Sequence, residues 1–203
     1  MRDYVYFDLE TRRSAGDVGG WGFKDRMGIS VGVTFSSKEQ KYVIYQETQA
    51  EALVQQLLRA DLVIGFNHIS FDYEVLMGHT ILDLKEHCRS LDLMVDIEEK
   101  IGHRLKLEAV ASASLGAGKT ADGLQAIKWW QEGRMMEIAE YCCYDVKVTK
   151  MVHEFGAEHG YVLYHDKFGQ LHHVDVHWDH PDPNRQSGGK RAGQPASTVV
   201  LPG

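Results

Sequence analysis

Hydrophobic and polar positions along the chain follow two periods. Residues 3–9 are aromatic and β-branched with partial alternation, as are residues 28–36 and 41–46, so each predicts a strand and the three together an antiparallel start. Residues 14–27, between the first two strands, hold four glycines and one tryptophan, a composition that lets backbone approach another group closely. Thr48 and Glu51 have the spacing of a capping box, which predicts a helix through Leu53, Leu57 and Leu58. The apolar run at 61–67 predicts a buried strand. Beyond it the period turns helical: helices are predicted over about 71–79, 94–101, 104–115, 122–132 and 134–156, with a short strand near Ser90–Leu93 and stops at Gly102, Gly116 and Gly133. The order β-β-β-α-β-α-β followed by helices is that of an α/β layer fold with a mixed sheet, parallel in its second half.

The C-terminal part differs. Residues 161–165 and 171–178 flank an Asp166-Lys167-Phe168-Gly169 turn and predict an appended β-hairpin, after which the composition is that of a linker or tail. The expected organisation is a main domain over 1–160, a hairpin over 161–180 and a mobile tail over 181–203.

With 203 residues and 43% hydrophobic content, the chain can build one well-cored domain. Its three cysteines, Cys142 and Cys143 adjacent, form neither a disulfide framework nor a Cys-x-x-Cys pair, which suits a reducing compartment such as the cytoplasm. No run approaches the roughly 20 apolar residues of a membrane span. A net charge of −7 opposes binding to phosphate-rich partners. Carboxylates that hold divalent cations, and local patches at Arg12/Arg13, Lys24/Arg26 and Arg104/Lys106, act the other way, although each patch also reads as solvated surface.

Asp8 and Glu10 lie two apart in a strand, so both side chains point to one face while Phe7 and Leu9 point to the other. Hydrolysing a phosphodiester through two metal ions about 4 Å apart needs acidic ligands around both, and such a pair supplies half of them. Asp72 follows the 61–67 strand at a helix opening, near the carboxyl end where sites of α/β sheets collect. Tyr141 and Asp145 are spaced i, i+4 on a helix and share a face beside the apolar stripe of Met135, Ile138, Ala139, Cys142 and Val146.

Residues 7–11 (FDLET), 65–76 (GFNHISFDYEVL) and 141–145 (YCCYD) resemble the three motifs of DEDD-type 3′→5′ exonucleases of the tyrosine subtype, within the RNase H-like superfamily. The Asn67-to-Asp72 spacing and the stretch 105–120 are similar to the proofreading domains of family B DNA polymerases. Bacterial RNase H-like domains, stand-alone or helicase-associated, share the pattern, and the resemblance covers about residues 3–155. It implies an RNase H-like mixed β-sheet with flanking helices, and two Mg2+ or Mn2+ ions. Asp8 would bridge the ions, Glu10 and Asp145 would ligate the nucleophile-side ion, Asp72 would serve the other, and Tyr141 would orient the attacking water. Asn67 and Phe71 would contact the terminal nucleotide, and Thr11 would offer its backbone near the scissile end. Where the histidine subtype carries its histidine, this chain has Glu140. The implied substrate is the 3′ end of DNA or RNA, single-stranded or frayed, and a helicase or polymerase is a candidate partner. A nucleic-acid-binding or scaffold module with little activity is the alternative on the same fold.

Other signals carry less. Residues 113–120 match a loose P-loop, which would suggest an ATPase, but the preceding apolar positions have helical spacing and favour a glycine helix stop. His173, Asp175, His177 and Asp179 share one strand face, which could hold a transition metal and more often is merely solvated. His68 and His103 could meet phosphate, although a structural role is the commoner one. Trp129 and Trp130 read as packing, whereas Trp21 in its glycine-rich loop could stack on a base. Asp92 and Asp96 read as helix-start residues, Asp92 being the alternative ligand to Asp72.

Overall fold

Alternation along residues 4–11 sorts one strand between two cores. In the computed structural model, which describes residues 2–116 and 123–179, this strand is β1 (Tyr4–Thr11). Tyr4 and Tyr6 enter one hydrophobic cluster; Val5, Phe7 and Leu9 enter another on the opposite face. After α1 (Ala15–Val18) and a 3-10 stretch (Trp21–Arg26) come β2 (Ile29–Ser36), β3 (Lys41–Tyr45), α2 (Ala50–Arg59), β4 (Leu62–Gly65), α3 (Asp72–Leu76), α4 (Leu84–His87) and β5 (Ser90–Asp92). Then follow α5 (Leu93–Ile101), α6 (Leu107–Leu115), α7 (Gly123–Gln131), α8 (Met135–His159), β6 (Tyr161–His165) and β7 (Leu171–Asp175).

The main sheet has the order β3-β2-β1-β4-β5. Its first three strands are antiparallel, and β4 and β5 run parallel to β1, so the sheet is mixed as the pattern predicts. Helices α2, α3 and α4 cover one face; α5, α6, α7 and α8 cover the other. The parallel pairing of β1 ends at Tyr6 and Ile64, so Phe7–Thr11 run on beyond the end of β4 and open a crevice there. Crevices at the carboxyl ends of parallel strands are where open α/β sheets place their chemistry.

The hairpin of β6 and β7 shares its core with α8, since Val162, Tyr164, Val174, Val176 and Trp178 belong to the same cluster as Tyr6 and Val146. Gly156 makes room for Trp178, because a Cβ there would stand 2.4 Å from the indole. The indole also stacks on His153, and its Nε1–H donates to Asp96 (2.8 Å). Along the outer edge of β6, Ser114 Oγ accepts from the Leu163 N–H (2.8 Å) and donates to the Leu163 carbonyl (3.3 Å).

Several local readings are corrected. Thr48 and Glu51 do not cap α2. Thr48 lies inside a 3-10 turn (Glu47–Gln49) that Gln46 opens from an extended conformation, its N–H donating to Gln49 Oε1 (3.1 Å). The helix expected over 71–79 stops at Leu76, and the short α4, capped by Asp83, has no counterpart in the predicted pattern. The glycine-rich segment is not an open loop: Ser14 and Asp17 form a capping box there, and α1 and the 3-10 stretch follow. What precedes Gly116 is the helix α6, so the strand a P-loop needs is missing; residues 117–120 lie outside the described ones, as does the tail from 180 onward. No described helix is long and apolar enough to cross a membrane.

Candidate active site

β1 carries Asp8 and Glu10 on the face that Tyr4 and Tyr6 occupy further back, as the two-residue period requires. On β2 their cross-strand partners are Val33 and Val31, so the pair stands against an apolar neighbour. A register shift follows between Glu10 and Thr11. α8 crosses this face and brings Tyr141, Cys142 and Asp145, which lie on adjacent turns of one helix face.

One oxygen each of Asp8, Glu10 and Asp145 lies within 4.8 Å of the others, and this is the three-donor grouping found among the described residues. Burial raises Asp8 well above the ordinary carboxylate range, and the charges of Asp72, Glu10 and Asp145 push in the same direction. Burial lifts Asp145 to about 6, against the lowering effect of a hydrogen bond from the Tyr141 hydroxyl. Among the described residues, Asp145 Oδ1 is buried without a hydrogen-bond partner. These crowded carboxylates, one with an orphaned oxygen, are suited to a divalent cation, whose charge would favour their ionised forms. Burial and the same carboxylates raise the Tyr141 phenol above its usual value, so it stays a neutral donor and acceptor.

Asp72 stands apart from the three-carboxylate group. It opens α3, is 3% exposed, and accepts the Leu9 N–H at Oδ1 (2.9 Å), a main-chain donor that β4 is too short to pair. Burial raises it to about 7, the Leu9 bond opposing and the nearby Asp92 reinforcing.

Asp92 is spent elsewhere. It caps α5 through the N–H groups of Met94 and Val95, and accepts the N–H groups of Asn67 (2.8 Å) and Ile69 (3.0 Å). The loop leading to Asp72 is thereby tied down with Asn67 in the left-handed region (φ 68°) and its Oδ1 accepting from Ser70.

A cleft of about 530 Å³ opens beside the carboxylates, lined by Asp8, Glu10, Thr11, Asn67, Phe71 and Asp72. Trp21 lines it too, 67% exposed and edge-on to Phe71 at 6.3 Å, and Leu124 and Ile127 of α7 form a further wall. Arg12 ties α7 to the end of β1, its guanidinium 4.4 Å above the Trp130 ring and paired with Glu47. Trp129 meets Tyr141 edge-on at 6.1 Å. Both tryptophans therefore do more than fill a core, which helical spacing alone could not reveal.

Other candidates are not brought to this site. His68 is fully buried against Tyr73, 3.6 Å from Asp92, and burial outweighs that carboxylate to lower it to about 4. It is neutral and out of reach of a phosphate. His103 sits edge-on to Tyr164. His173, Asp175, His177 and Asp179 are exposed, but β7 ends at Asp175, so the four do not share one strand face, and among the described residues they form no three-donor grouping.

Cys142 is a residue that the pattern placed in the apolar stripe without a further role. Its thiol lies 3.3 Å from Asp8 Oδ2 and 3.4 Å from the Asp8 carbonyl, and burial and the Asp8 charge raise it well above the ordinary thiol value.

A family model described as the RNase H superfamily matches residues 5–157. Among solved structures, the family B DNA polymerase from the hyperthermophilic archaeon Pyrobaculum calidifontis is similar, with a TM-score of 0.57 and 14% identity over 78% of this chain. At that identity the likeness is one of fold, and the match takes in 25% of the polymerase chain. No curated protein matches by sequence.

Proposed function

This chain belongs to the RNase H superfamily, and we propose that it is a metal-dependent 3′→5′ exonuclease of the DEDD type, tyrosine subtype, releasing nucleoside 5′-monophosphates. The observation that carries this reading is the convergence of Asp8, Glu10 and Asp145 donors within 4.8 Å, with the Tyr141 hydroxyl bonded to Asp145 beside them.

Asp8, Glu10 and Asp145 would hold Mg2+ or Mn2+, and Asp72 would serve a second ion with the oxygen that Leu9 leaves. Bound divalent ions would supply the Lewis acidity that phosphodiester hydrolysis needs near neutral pH. Tyr141, kept protonated by burial and the neighbouring carboxylates, positions the attacking water through its hydroxyl and does not remove a proton from it. Asn67 and Phe71 receive the terminal nucleotide, Trp21 offers an exposed ring for a base to stack on, and Thr11 presents its backbone at the end of β1. No side chain attacks phosphorus, so no covalent intermediate forms. An acidic cleft with an exposed aromatic ring suits a single-stranded or frayed 3′ end of DNA or RNA. A helicase or polymerase would be a fitting partner, and a reducing cytoplasm would keep Cys88, Cys142 and Cys143 as the free thiols observed.

The test is incubation with 5′-labelled single-stranded DNA and RNA in Mn2+, Mg2+ or chelator. A ladder shortening from the 3′ end, absent in chelator, is the expected result. Binding without cleavage in both metals would replace the exonuclease with a nucleic-acid-binding module.

A further inference from the structure

α8 turns three polar side chains toward the β1 carboxylates, and the proposed chemistry uses only Tyr141 and Asp145. The third, Cys142, is fully buried, and both of its hydrogen-bond acceptors, Oδ2 and the main-chain carbonyl, belong to Asp8. The Tyr141 hydroxyl, the other donor beside Asp8, is bonded to Asp145. Glu10 and Asp145 are acceptors when ionised, and the N–H that follows Asp8 in the chain, that of Leu9, is committed to Asp72. The terminal torsion of an aspartate is broad and roughly two-fold, so a donor fixed on one oxygen selects the carboxylate orientation. Among the described hydrogen bonds, Cys142 is the donor that does this for Asp8.

We propose that Cys142 is a positioning residue: its thiol holds the Asp8 carboxylate in the orientation that meets a divalent cation together with Glu10 and Asp145. The proposal rests on reading that cluster as a metal centre. A protein group that orients a ligand from behind tunes metal affinity even though it never touches the ion.

The experiment uses the full chain without nucleic acid. Mn2+ binding is measured by calorimetry and by the Mn2+-dependent rise in Tm, for wild type, Cys142→Ala, Cys142→Ser and Cys142→Val. Alanine removes the donor, serine keeps one, and valine fills the space with none, which covers the case that alanine does not fold. The expected result is a folded Ala or Val variant whose Mn2+ affinity falls about tenfold, with the serine variant restored close to wild type. Wild-type affinity in the donor-less variants would overturn the positioning role and leave the exonuclease reading standing. Serine as weak as alanine would also overturn it, since the donor would then not be what matters. A wild-type protein that binds no Mn2+ would sink the metal-centre reading itself and this inference with it.

Discussion

The main-chain N–H of Leu9 donates to Asp72 Oδ1 over 2.9 Å. The carboxylate takes the place of the strand residue that β4 would supply if it were longer, and so couples α3 to the segment of β1 that bears Asp8 and Glu10. Two substitutions separate the roles of Asp72. Asp72→Asn keeps an acceptor for Leu9 and loses the charge, so the fold is retained while cleavage falls by more than about a hundredfold. Asp72→Ala leaves a buried N–H unpaired at about 1–3 kcal/mol, partly offset by relief of repulsion on Asp8. Urea unfolding of the two in chelator should show Asn above Ala; the reverse order would remove the structural role of the bond.

Asp8→Ala is expected to abolish cleavage and to leave the metal-free fold at least as stable as wild type, because the substituted side chain is a buried carboxylate facing three others. Labelled-oligonucleotide assays beside circular dichroism check both halves. Retained activity would end the assignment of the site.

Tyr141→Phe should slow hydrolysis by about ten- to a hundredfold while the Mn2+-dependent rise in Tm persists, since the phenol orients water and is not proposed as a ligand. An unchanged kcat would take Tyr141 out of the mechanism.

The pH dependence follows from the raised carboxylates. Asp72 at about 7 and Asp145 at about 6 bind protons more tightly folded than unfolded. Without metal, they therefore favour the folded state most below the ordinary carboxylate range, and that advantage is lost as pH rises through their folded values. Each tenfold difference in proton affinity is worth about 1.4 kcal/mol. The chelated protein should lose Tm from this source between about pH 4 and 7, and Mn2+ should raise Tm far more at pH 8 than at pH 5. A metal-induced rise that is independent of pH would contradict the buried-carboxylate account.

Trp178→Ala should destabilise the protein by about 3–5 kcal/mol. The indole fills the space over Gly156, stacks on His153 and donates to Asp96, and it ties the hairpin to α8. Chemical denaturation measures the loss. A change below about 1 kcal/mol would mean the hairpin adds little to the main core.

The sequence made periodic features legible and specific encounters illegible. Two-residue parity placed Asp8 and Glu10 together, and helical spacing placed Tyr141 with Asp145, because both follow from backbone geometry alone. The antiparallel start and the mixed sheet followed from the order of the elements, whereas the spatial strand order did not. The thiol of Cys142 against Asp8, the Arg12 guanidinium over Trp130, and Asp92 clamping the Asn67 loop join residues that are distant in the chain, and no period announces them. The cap of α2 went astray for a local reason: Thr48 and Glu51 have the right spacing, but a preceding 3-10 turn had already taken Thr48 out of the extended conformation a cap requires.

Ser114 has a consequence for how the molecule behaves among its own copies. A two-stranded ribbon ordinarily offers its outer amides as a template on which another chain can be laid down. Here one hydroxyl from α6 occupies both the amide and the carbonyl of Leu163 in the middle of β6. On that flank, a stray strand meets a hydrogen-bonding row already interrupted at its centre, and the hairpin can seal the domain without seeding a fibre from this side.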